Sequence, residues 1–438
     1  MRITIIGAGY VGLVTAVCFA CGGHQVICLE KDEARCRMLS EGQCPILERK
    51  LPEMLNQAFT DRKISFTTQP QEAIPHGEIV FIAVGTPSRA GGQADLSALF
   101  EVAAEIGKYI HDGSIIVIKS TVPPKTTGLF RRIILDSVPD GKSDIQVLCN
   151  PEFLREGSAV DDFLFPDRIV VGADNPKAGE LLFDLYRSLF HQSVPEILTS
   201  PINAELIKYA SNSYLAVRLS FVNELAGLCE SLGGSISQVT GGMGLDHRIG
   251  SEYLTAGIGY GGACLPKDTR ALVQIAKRAG TPLTVLESAI TANRMVAIRL
   301  AKRVAKRISQ GEIVAIWGLS FKAGTEDIRD SPVLSLMKEL SETLNCSFQI
   351  YDPAGCEFAM GYPKEIQRVL CPAPEVAVSE ASALIVGTAW PQFGEINLFT
   401  LSVAMKKRTI FDFVNALDGE KARQAGFEYY ACGEGWPD

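Results

Sequence analysis

A cysteine inside a glycine-rich segment carries the clearest chemistry in the chain. The segment reads Gly259-Tyr260-Gly261-Gly262-Ala263-Cys264-Leu265-Pro266-Lys267-Asp268. The glycines leave room for a substrate to reach the thiol of Cys264, and a carboxylate, Asp268, follows four residues later. A thiolate is a strong nucleophile and a good leaving group, so this pattern favours covalent catalysis over a structural cysteine.

A glycine loop near the N-terminus predicts a dinucleotide site. An apolar run, residues 3–6, leads into Gly7-Ala8-Gly9-Tyr10-Val11-Gly12. Gly7 allows a tight turn, Gly9 lets the backbone approach a pyrophosphate, and Gly12 lets helix and strand pack closely. The N-terminus of the helix that follows offers N–H donors to phosphates, so Tyr10 and Val11 are candidate cofactor contacts too.

The acid after the second strand bears on the choice of cofactor. Glu30 follows the apolar run 26–29, where its carboxylate suits ribose hydroxyls and repels a 2′-phosphate. This favours NAD, although the nearby cation of Arg35 leaves NADP open, because an arginine is how NADP sites accept the phosphate. Gly85 and Thr86 follow the predicted strand 79–84 and are expected to touch the cofactor. A redox cofactor with an accessible thiol suggests oxidation of an alcohol or aldehyde through a thiohemiacetal.

The elements that position these residues predict an α/β protein with two Rossmann-like doubly wound domains joined by a helical central domain. Continuous apolar strands at 79–84, 115–118 and 146–149 are typical of parallel strands covered on both faces. Helical periodicity follows at 203–232 and 282–309, and apolar runs typical of strands occur again at 313–317, 347–351 and 383–386. We therefore expect an NAD-binding domain at 1–200, a helical domain with the cysteine loop and a dimer interface at 201–310, and a nucleotide-sugar-binding domain at 311–438.

Composition narrows the classes of function. The chain has 438 residues and a net charge of −8, which argues against a general nucleic-acid binder. No apolar run reaches the roughly 18–20 residues that cross a bilayer, and no signal peptide is evident, so a cytoplasmic location without membrane contact is expected. Cys18 and Cys21 fall on a predicted apolar helix as core residues, and the five histidines are isolated. No metal site is predicted.

Four motifs together resemble the UDP-glucose/GDP-mannose dehydrogenase family. Besides the cysteine segment they are Asn150-Pro151-Glu152-Phe153-Leu154-Arg155-Glu156, Ile207-Lys208-Tyr209-Ala210-Ser211-Asn212 and Gly318-Leu319-Ser320-Phe321-Lys322-Ala323-Gly324-Thr325. The resemblance covers nearly the whole chain, with the motifs in the same order. It is closest to the members that act on UDP-glucose.

This resemblance implies a four-electron oxidation of a nucleotide-sugar alcohol to a carboxylate, with NAD as the oxidant. It gives Cys264 the role of attacking the C6 aldehyde, forming a thiohemiacetal and then a thioester. Lys208 and Asn212, four residues apart on one helix, can stabilise an oxyanion at C6. The resemblance implies that Asp268, Thr121 and Glu156 act as the base or hold the water. Which of the three is the base in each step stays open.

The resemblance also implies binding residues in all three domains. The implied substrate contacts are Glu152, Phe153, Leu154, Arg155, Lys208, Asn212, Arg248, Tyr253, Leu254, Thr255, Ala256, Gly257, Gly261, Phe321 and Lys322. The implied cofactor contacts include Thr121, Glu156, Lys267 and Arg329. Two positions depart from the family pattern: Ala263 stands where serine or a larger residue is common, and Glu30 replaces the commoner aspartate.

Several alternatives stay open. A GDP-mannose dehydrogenase would share the mechanism, although segments 165–168 and 248–253 look more like the members that act on UDP-glucose. Oxidation of UDP-N-acetylmannosamine fits less well, because Cys-Leu-Pro-Lys-Asp is not the pattern of those enzymes. A two-electron 3-hydroxyacid dehydrogenase would not need Cys264, and a non-catalytic NAD-binding scaffold would need none of the reactive side chains.

Overall fold

The computed structural model describes residues 1–138, 144–190, 192–355 and 367–435. These residues belong to two compact units, Met1–Ser211 and Asn212–Asp438. The division between the units falls inside one long helix, α9 (Pro201–Leu232). The boundaries of the three domains proposed from the sequence stay a prediction.

The first unit is built on an eight-stranded sheet in the order β3-β2-β1-β4-β5-β6-β7-β8. Its strands are β1 (Arg2–Ile6), β2 (Gln25–Leu29), β3 (Ile64–Thr67), β4 (Ile79–Ile82), β5 (Ile115–Ile118), β6 (Gln146–Cys149), β7 (Ile169–Gly172) and β8 (Glu196–Thr199). Neighbouring strands run parallel except for β6 and β7, which are antiparallel. Every residue of β4 and β5 is buried, as expected for parallel strands covered on both faces.

Helices cover both faces of this sheet, and their apolar sides form the core of the unit. They are α1 (Tyr10–Cys21), α2 (Glu33–Ser40), α3 (Leu51–Thr60), α4 (Pro70–Ala73), α5 (Ser97–Tyr109), α6 (Thr126–Ser137), α7 (Ala159–Leu164) and α8 (Pro176–Arg187). One core cluster joins α1 to the sheet from one side, and another joins α5 and α6 to it. Residues Gly12–Ala20 of α1 are all buried, since this helix is covered by neighbours on all sides. Cys18 is therefore a core residue as predicted, but the same prediction is wrong for Cys21, which ends the helix and is exposed.

The second unit contains a six-stranded parallel sheet in the order β11-β10-β9-β12-β13-β14. Its strands are β9 (Ile313–Trp317), β10 (Ser347–Tyr351), β11 (Arg368–Leu370), β12 (Ala383–Val386), β13 (Thr409–Asp412) and β14 (Glu428–Ala431). The helices are α10 (Ile236–Gly244), α11 (Leu265–Arg278), α12 (Thr284–Val304), α13 (Pro332–Leu344), α14 (Pro374–Ala377), α15 (Leu398–Ala404) and α16 (Gly419–Gln424). In both units the first strand lies between the second and the fourth strand of that unit. The predicted fold class, two Rossmann-like sheets with a helical middle, is confirmed.

Element boundaries differ from the sequence prediction at several places. The strand predicted at 79–84 ends at Ile82, because the chain turns out of the sheet there. The helix predicted at 282–309 spans Thr284–Val304: Leu283 has non-helical dihedrals (φ −101°, ψ 76°), and Arg307 bonds to the carbonyl of Val304 in a tight turn. The strands β3, β7, β8, β11, β13 and β14 were not predicted. All but β7 include polar residues, so they lack the continuous apolar signal of β4 and β5.

Two further features are absent from residues 1–138, 144–190, 192–355 and 367–435. None of the helices in these ranges is long and apolar enough to cross a membrane. Within the same ranges, no group of three His, Cys, Asp or Glu side chains is arranged to hold a metal ion.

Candidate active site

The glycine loop after β1 has the geometry of a dinucleotide site. Gly7 has a φ of +99°, and a Cβ there would lie 2.9 Å from the carbonyl oxygen of Ala83. A Cβ on Gly12 would lie 1.8 Å from the carbonyl oxygen of Gly7, so helix and loop touch at this point. No described atom lies within 4 Å of a Cβ placed on Gly9. The loop is therefore packed at its two ends and open in the middle, as backbone binding of a pyrophosphate requires.

Glu30 lies at the carboxyl end of β2, against this loop. Its side chain is 7% exposed. One carboxylate oxygen accepts a hydrogen bond from the N–H of Ala8 at 3.0 Å, and the other accepts one from the N–H of Asp32 at 3.0 Å. Asp32 in turn accepts hydrogen bonds from the N–H groups of Ala34 and Arg35 at the start of α2. An acid held here fits a cofactor with unmodified ribose hydroxyls.

A second carboxylate, which the sequence did not single out, holds the other side of the glycine loop. Glu48 is buried and accepts a hydrogen bond from the phenol of Tyr10. The N–H of Gly157 donates to the same oxygen of Glu48 at 2.7 Å and to the phenol oxygen at 2.6 Å. These contacts join the glycine loop to the segment that follows Glu156. Glu48 stands in an irregular stretch with no periodic pattern, so no sequence signal pointed to it.

The loops after β4 and β5 place two more of the predicted residues side by side. The hydroxyl of Thr86 donates to the carbonyl oxygen of Thr121 at 2.9 Å, and Ser120 donates to the carbonyl oxygen of Val84 at 2.6 Å. Gly85 has open space where a Cβ would stand. Thr86 and Thr121 therefore lie together at the carboxyl edge of the sheet, where cofactor contacts are expected.

A buried ion pair joins two of the predicted catalytic and substrate residues. The ammonium of Lys208, on α9, lies 3.0 Å from the carboxylate of Glu152, and both side chains are nearly inaccessible. Glu152 also accepts a hydrogen bond from the N–H of Leu154 at 2.6 Å. Burial alone would raise the pKa of Glu152, but the charge of Lys208 and these hydrogen bonds outweigh it and lower that pKa. Glu152 is therefore ionised near neutral pH.

Phe153 completes this cluster in the first unit. The ammonium of Lys208 lies 5.3 Å from the centre of the Phe153 ring, and the guanidinium of Arg168 lies 3.9 Å from it. The neighbouring Arg155 instead forms a two-pronged ion pair with Asp162 at the surface. Glu156 is half-buried. Four of the predicted residues thus lie together: Glu152, Phe153, Leu154 and Lys208. Arg155 forms an ion pair with Asp162 instead.

In the second unit, Cys264 immediately precedes α11 and is exposed. Asp268 lies in the first turn of the same helix and is 1% exposed. Its two oxygens are held by separate donors: the side-chain amide of Asn212 at 2.6 Å and the ammonium of Lys267 at 2.5 Å. Asn212, Lys267 and Asp268 are thus linked by hydrogen bonds, and Asp268 lies one helical turn after the exposed Cys264, to whose carbonyl oxygen its N–H donates at 2.9 Å.

The glycines before Cys264 are required by close packing within the second unit. Gly262 has a φ of +82°, and a Cβ there would lie 2.8 Å from the ring of Phe321. Its N–H donates to the carbonyl oxygen of Arg329 at 3.0 Å. A Cβ on Gly261 would lie 2.4 Å from the carbonyl oxygen of Asp330. The cysteine loop is thus set by backbone contact with the segment that contains Phe321 and Arg329.

The predicted substrate segment 253–257 and three cations occupy defined positions in the second unit. Gly257 donates its N–H to the side-chain oxygen of Asn223 at 2.8 Å, and Leu254 and Ala256 are buried, with Thr255 between them. Tyr253 has a left-handed backbone, with φ +58°. The cations lie on surface segments: Arg248 pairs with Asp246, Arg329 pairs with Asp327, and the ammonium of Lys322 lies 5.8 Å from the ring of Phe321. Arg248 is exposed and is held in the loop that follows α10.

Comparison with known proteins identifies the family of this chain. Three family models match in succession: the NAD binding domain of the UDP-glucose/GDP-mannose dehydrogenase family at residues 1–190, its central domain at 202–295 and its UDP binding domain at 315–419. The chain belongs to the UDP-glucose/GDP-mannose dehydrogenase family. It is an NAD-dependent oxidoreductase, and the UDP binding domain indicates a nucleotide sugar as substrate.

Relatives of this family member match along its whole length. The UDP-glucose 6-dehydrogenase of Rhizobium meliloti (strain 1021) is 40% identical over 440 residues, covering 99% of each chain. The UDP-glucose dehydrogenase of Pyrobaculum islandicum has a structure with a TM-score of 0.88 and 33% identity, covering 100% of this chain and 98% of that one. A UDP-D-ManNAc dehydrogenase from Pyrococcus horikoshii matches with a TM-score of 0.85 and 26% identity, covering 99% and 100%. NAD, favoured by Glu30 in the sequence, is confirmed as the cofactor over NADP.

Proposed function

We propose that this enzyme oxidises UDP-glucose to UDP-glucuronate in two successive two-electron steps. The observation that carries the proposal is the exposed thiol of Cys264 at the start of α11, with Asp268 one helical turn later, linked to Asn212 and Lys267 by hydrogen bonds. A dehydrogenase that stops at the aldehyde or ketone has no need of such a nucleophile. The name of the Rhizobium meliloti relative supports UDP-glucose as the sugar.

The chain offers NAD a site at the glycine loop of the first unit. Gly9 leaves the middle of the loop accessible, and Gly7 and Gly12 let the loop pack closely at its two ends. Tyr10 and Val11 begin α1, and we assign Glu30, which holds the N–H of Ala8, to the ribose. When bound, NAD accepts one hydride in each of the two oxidations. We assign further cofactor contacts to Arg35, Gly85, Thr86, Thr121, Glu156, Lys267 and Arg329.

In the first oxidation the C6 hydroxyl loses a proton and C6 loses a hydride, which yields the aldehyde. Negative charge develops on the C6 oxygen during this step. We assign its stabilisation to the ammonium of Lys208 and the side-chain amide of Asn212, one turn apart on α9. Their carboxylate partners, Glu152 and Asp268, hold each donor in place.

The second oxidation proceeds through a covalent bond to Cys264. Its sulfur adds to C6 of the aldehyde, a C–S bond forms, and the aldehyde oxygen takes up a proton. The thiohemiacetal then loses a proton and a hydride and becomes a thioester. Water attacks this thioester, the C–S bond breaks, and the carboxylate and the thiolate are released. The partial positive charge at the N-terminus of α11 favours a thiolate at this position.

Hydrolysis of the thioester requires a base that activates water. Asp268, Thr121 and Glu156 are the candidates, and we assign the deprotonation to a carboxylate and the holding of the water to the hydroxyl. The sugar and its diphosphate are assigned to Glu152, Phe153, Leu154, Arg155, Arg248, Tyr253, Leu254, Thr255, Ala256, Gly257, Gly261, Phe321 and Lys322. Arginine and lysine in this set suit the diphosphate, and Phe321 offers an apolar face.

The proposal is tested by counting products. Purified protein is incubated with NAD and a limiting amount of UDP-glucose, and in parallel with GDP-mannose. Two NADH and one UDP-glucuronate per UDP-glucose are expected. Two NADH per GDP-mannose, with none from UDP-glucose, would make GDP-mannose the substrate. A stoichiometry of one NADH, or no NADH with either sugar, would refute the four-electron reaction.

A matched pair of cysteine variants tests the covalent step. Cys264→Ser is expected to lower the steady rate of NADH formation by about 10³-fold or more, because an alcohol at this position is a much weaker nucleophile. Cys21→Ser removes another exposed cysteine and serves as the control. Equal activity of Cys264→Ser, Cys21→Ser and wild type would rule out the thiohemiacetal and favour a non-covalent or scaffold role.

We also propose that the chain forms a homodimer through one face of α9. Tyr214, Phe221 and Leu228 are spaced by seven residues, so they lie on one side of the helix, and they are 62%, 52% and 51% exposed. A stripe of large apolar side chains at this spacing is typical of helices that pack against a partner helix. The double variant Phe221→Lys/Leu228→Lys is expected to be a monomer by light scattering. Phe399→Lys, at another exposed phenylalanine, is the control, and a dimer that persists in the double variant would refute this interface.

A further inference from the structure

A buried lysine at the end of β5 has no part in the mechanism described above. Lys119 is 4% exposed. Its ammonium donates hydrogen bonds to the side-chain oxygen of Asn150 at 3.1 Å and to the phenol oxygen of Tyr186 at 3.1 Å. It also lies 5.9 Å from the centre of the Phe163 ring and 5.6 Å from that of Tyr186. Over the described ranges of the chain, no carboxylate lies within ion-pair distance of it.

The neighbours of Lys119 lead directly to the Glu152–Lys208 pair. Asn150 follows β6 and accepts hydrogen bonds from both Lys119 and the phenol of Tyr186, the latter at 2.6 Å. Its amide donates to the carbonyl oxygen of Val170 at 2.9 Å. Glu152 stands two residues later, at the other side of Pro151. The hydrogen bonds of Asn150 therefore fix the start of the segment that carries Glu152.

The charges around Lys119 come from several elements. Those that face it are Glu152 after β6, Lys208 on α9, the thiol of Cys149 on β6 and the phenol of Tyr186 on α8, with Cys18 of α1 beside Tyr186. Burial raises the pKa values of Cys149, Tyr186 and Cys18, so these groups stay neutral. The charged groups that act on Lys119 are therefore the carboxylate of Glu152 and the ammonium of Lys208, while Glu205 acts on Cys149 and Arg168 lies over the ring of Phe153.

Such a cluster holds Glu152 in its ionised form. The charge of Lys208 does most to lower the pKa of Glu152, and the charge of Lys119 adds a smaller contribution in the same direction. Burial lowers the pKa of Lys119 itself to about 8, so Lys119 carries its charge at neutral pH and loses it in moderate alkali. A buried charge without an ion-pair partner costs stability, and proteins retain such groups mainly at functional sites.

We propose that Lys119 is a positioning residue of the active site, whose ammonium holds Asn150, and with it the segment of the Glu152–Lys208 pair, in place and adds positive charge beside that pair. This inference rests on the proposed function, since the pair serves the oxidation of the sugar. Lys119 touches neither substrate nor cofactor in this role. It acts through Asn150 and through its electric field in a region from which water is excluded.

The test compares Lys119→Met with Tyr186→Phe over a range of pH. Methionine removes the charge and keeps the length of the side chain, whereas phenylalanine removes one hydrogen-bond partner and leaves the charge. At pH 6.5, kcat/KM for the sugar is expected to be about tenfold lower in Lys119→Met than in wild type, because Asn150 and the segment that carries Glu152 are no longer held by the ammonium. The ratio should approach one near pH 9.5, where Lys119 of the wild type is itself neutral. For Tyr186→Phe the ratio should not change with pH.

A pH-independent ratio for Lys119→Met, or a rate equal to that of wild type at every pH, would overturn the inference. If methionine at this position prevents folding, Lys119→Gln provides the same test, because it removes the charge and leaves Asn150 and its bond to Val170 unchanged.

A measurement without substrate separates this inference from the proposed function. In a double-mutant cycle of Lys119→Met and Glu152→Gln, the shift of the urea midpoint should be non-additive at pH 7 and additive at pH 10. Additive shifts at both pH values would contradict the coupling even in an enzyme that oxidises UDP-glucose. Non-additive shifts in a protein that oxidises no nucleotide sugar would leave the coupling intact and refute the proposed function alone.

Discussion

The phenol of Tyr10, in the glycine loop, donates a hydrogen bond to the carboxylate of Glu48, which lies 38 residues further along the chain. The same oxygen of Glu48 accepts the N–H of Gly157 at 2.7 Å. Two ion pairs strengthen this connection, because Arg49 and Lys50 both bind Asp161 on α7. Glu48 thus links the cofactor loop to the segment that bears Glu152 and Glu156.

Replacing Glu48 should weaken cofactor binding in particular. Glu48→Gln keeps the shape but removes the charged acceptor that two donors share, which costs about 1.5–3 kcal/mol for a charge-assisted hydrogen bond. We expect the KM for NAD to rise by about tenfold with little change in the KM for the sugar, measured by initial rates. Glu41→Gln, in the preceding loop, is the control. An equal rise in both KM values would contradict a role specific to the cofactor loop.

The packing of Gly262 against Phe321 predicts a large effect of an added methyl group. Gly262→Ala combines a left-handed backbone, which costs roughly 1–2 kcal/mol, with a contact that forces about 1–3 kcal/mol of repacking. The matched control is Gly280→Ala, where φ is +72° but no described atom lies within 4 Å of the new carbon. Unfolding in urea should show a greater loss of stability for Gly262→Ala, and its kcat/KM should fall by about tenfold or more. Similar values for the two variants would show that the contact with Phe321 is not restrictive.

Replacing Asp268 is expected to lower kcat far more than replacing an acid of a surface ion pair. Asp268→Asn removes a buried charge that holds both Asn212 and Lys267, so kcat should decrease by about 10²-fold, within the range for a positioned acid–base group. Glu342→Gln, which removes the surface pair with Lys338, should leave kcat within about twofold. The measurement is the steady rate of NADH formation at saturating substrates. A loss below fivefold for Asp268→Asn would exclude it as the base.

The low pKa of Lys119 predicts how stability depends on pH. Because this pKa is about 8 in the folded chain and about 10.4 for an ordinary lysine, the unfolded chain binds more protons between these values. This group therefore makes the free energy of unfolding rise with pH over that window. For this reason the free energy of unfolding of Lys119→Met should exceed that of wild type by on the order of 3 kcal/mol at pH 7. Most of this difference should vanish at pH 10.4.

Urea unfolding at the two pH values measures this change, and the exposed Lys177→Met should show none of it. A stability difference between wild type and Lys119→Met that is independent of pH would mean that the ammonium is charged throughout.

Much of the architecture follows from local patterns along the chain. The apolar runs at 115–118, 146–149 and 313–317 coincide with β5, β6 and β9, because strands buried on both faces leave an uninterrupted apolar signal. Other strands escape such patterns: β8 has a polar residue at each end, and the antiparallel step from β6 to β7 has no local cause in the sequence. Pairing direction depends on how distant segments pack, which periodicity does not record.

The sequence by itself determined the chemistry of this protein: a thiol among glycines, a dinucleotide loop at Gly7–Gly9–Gly12, and an acid at residue 30. These can be read locally because each depends on residue type and on spacing within one short segment. Only the tertiary structure decided the partners of those groups. Asn212 meets Asp268 across 56 residues, and Glu48 meets Gly157 across 109. Lys119 becomes a buried charge because β5, β6 and α8 exclude water around it, and burial by distant segments is a property that no local pattern encodes.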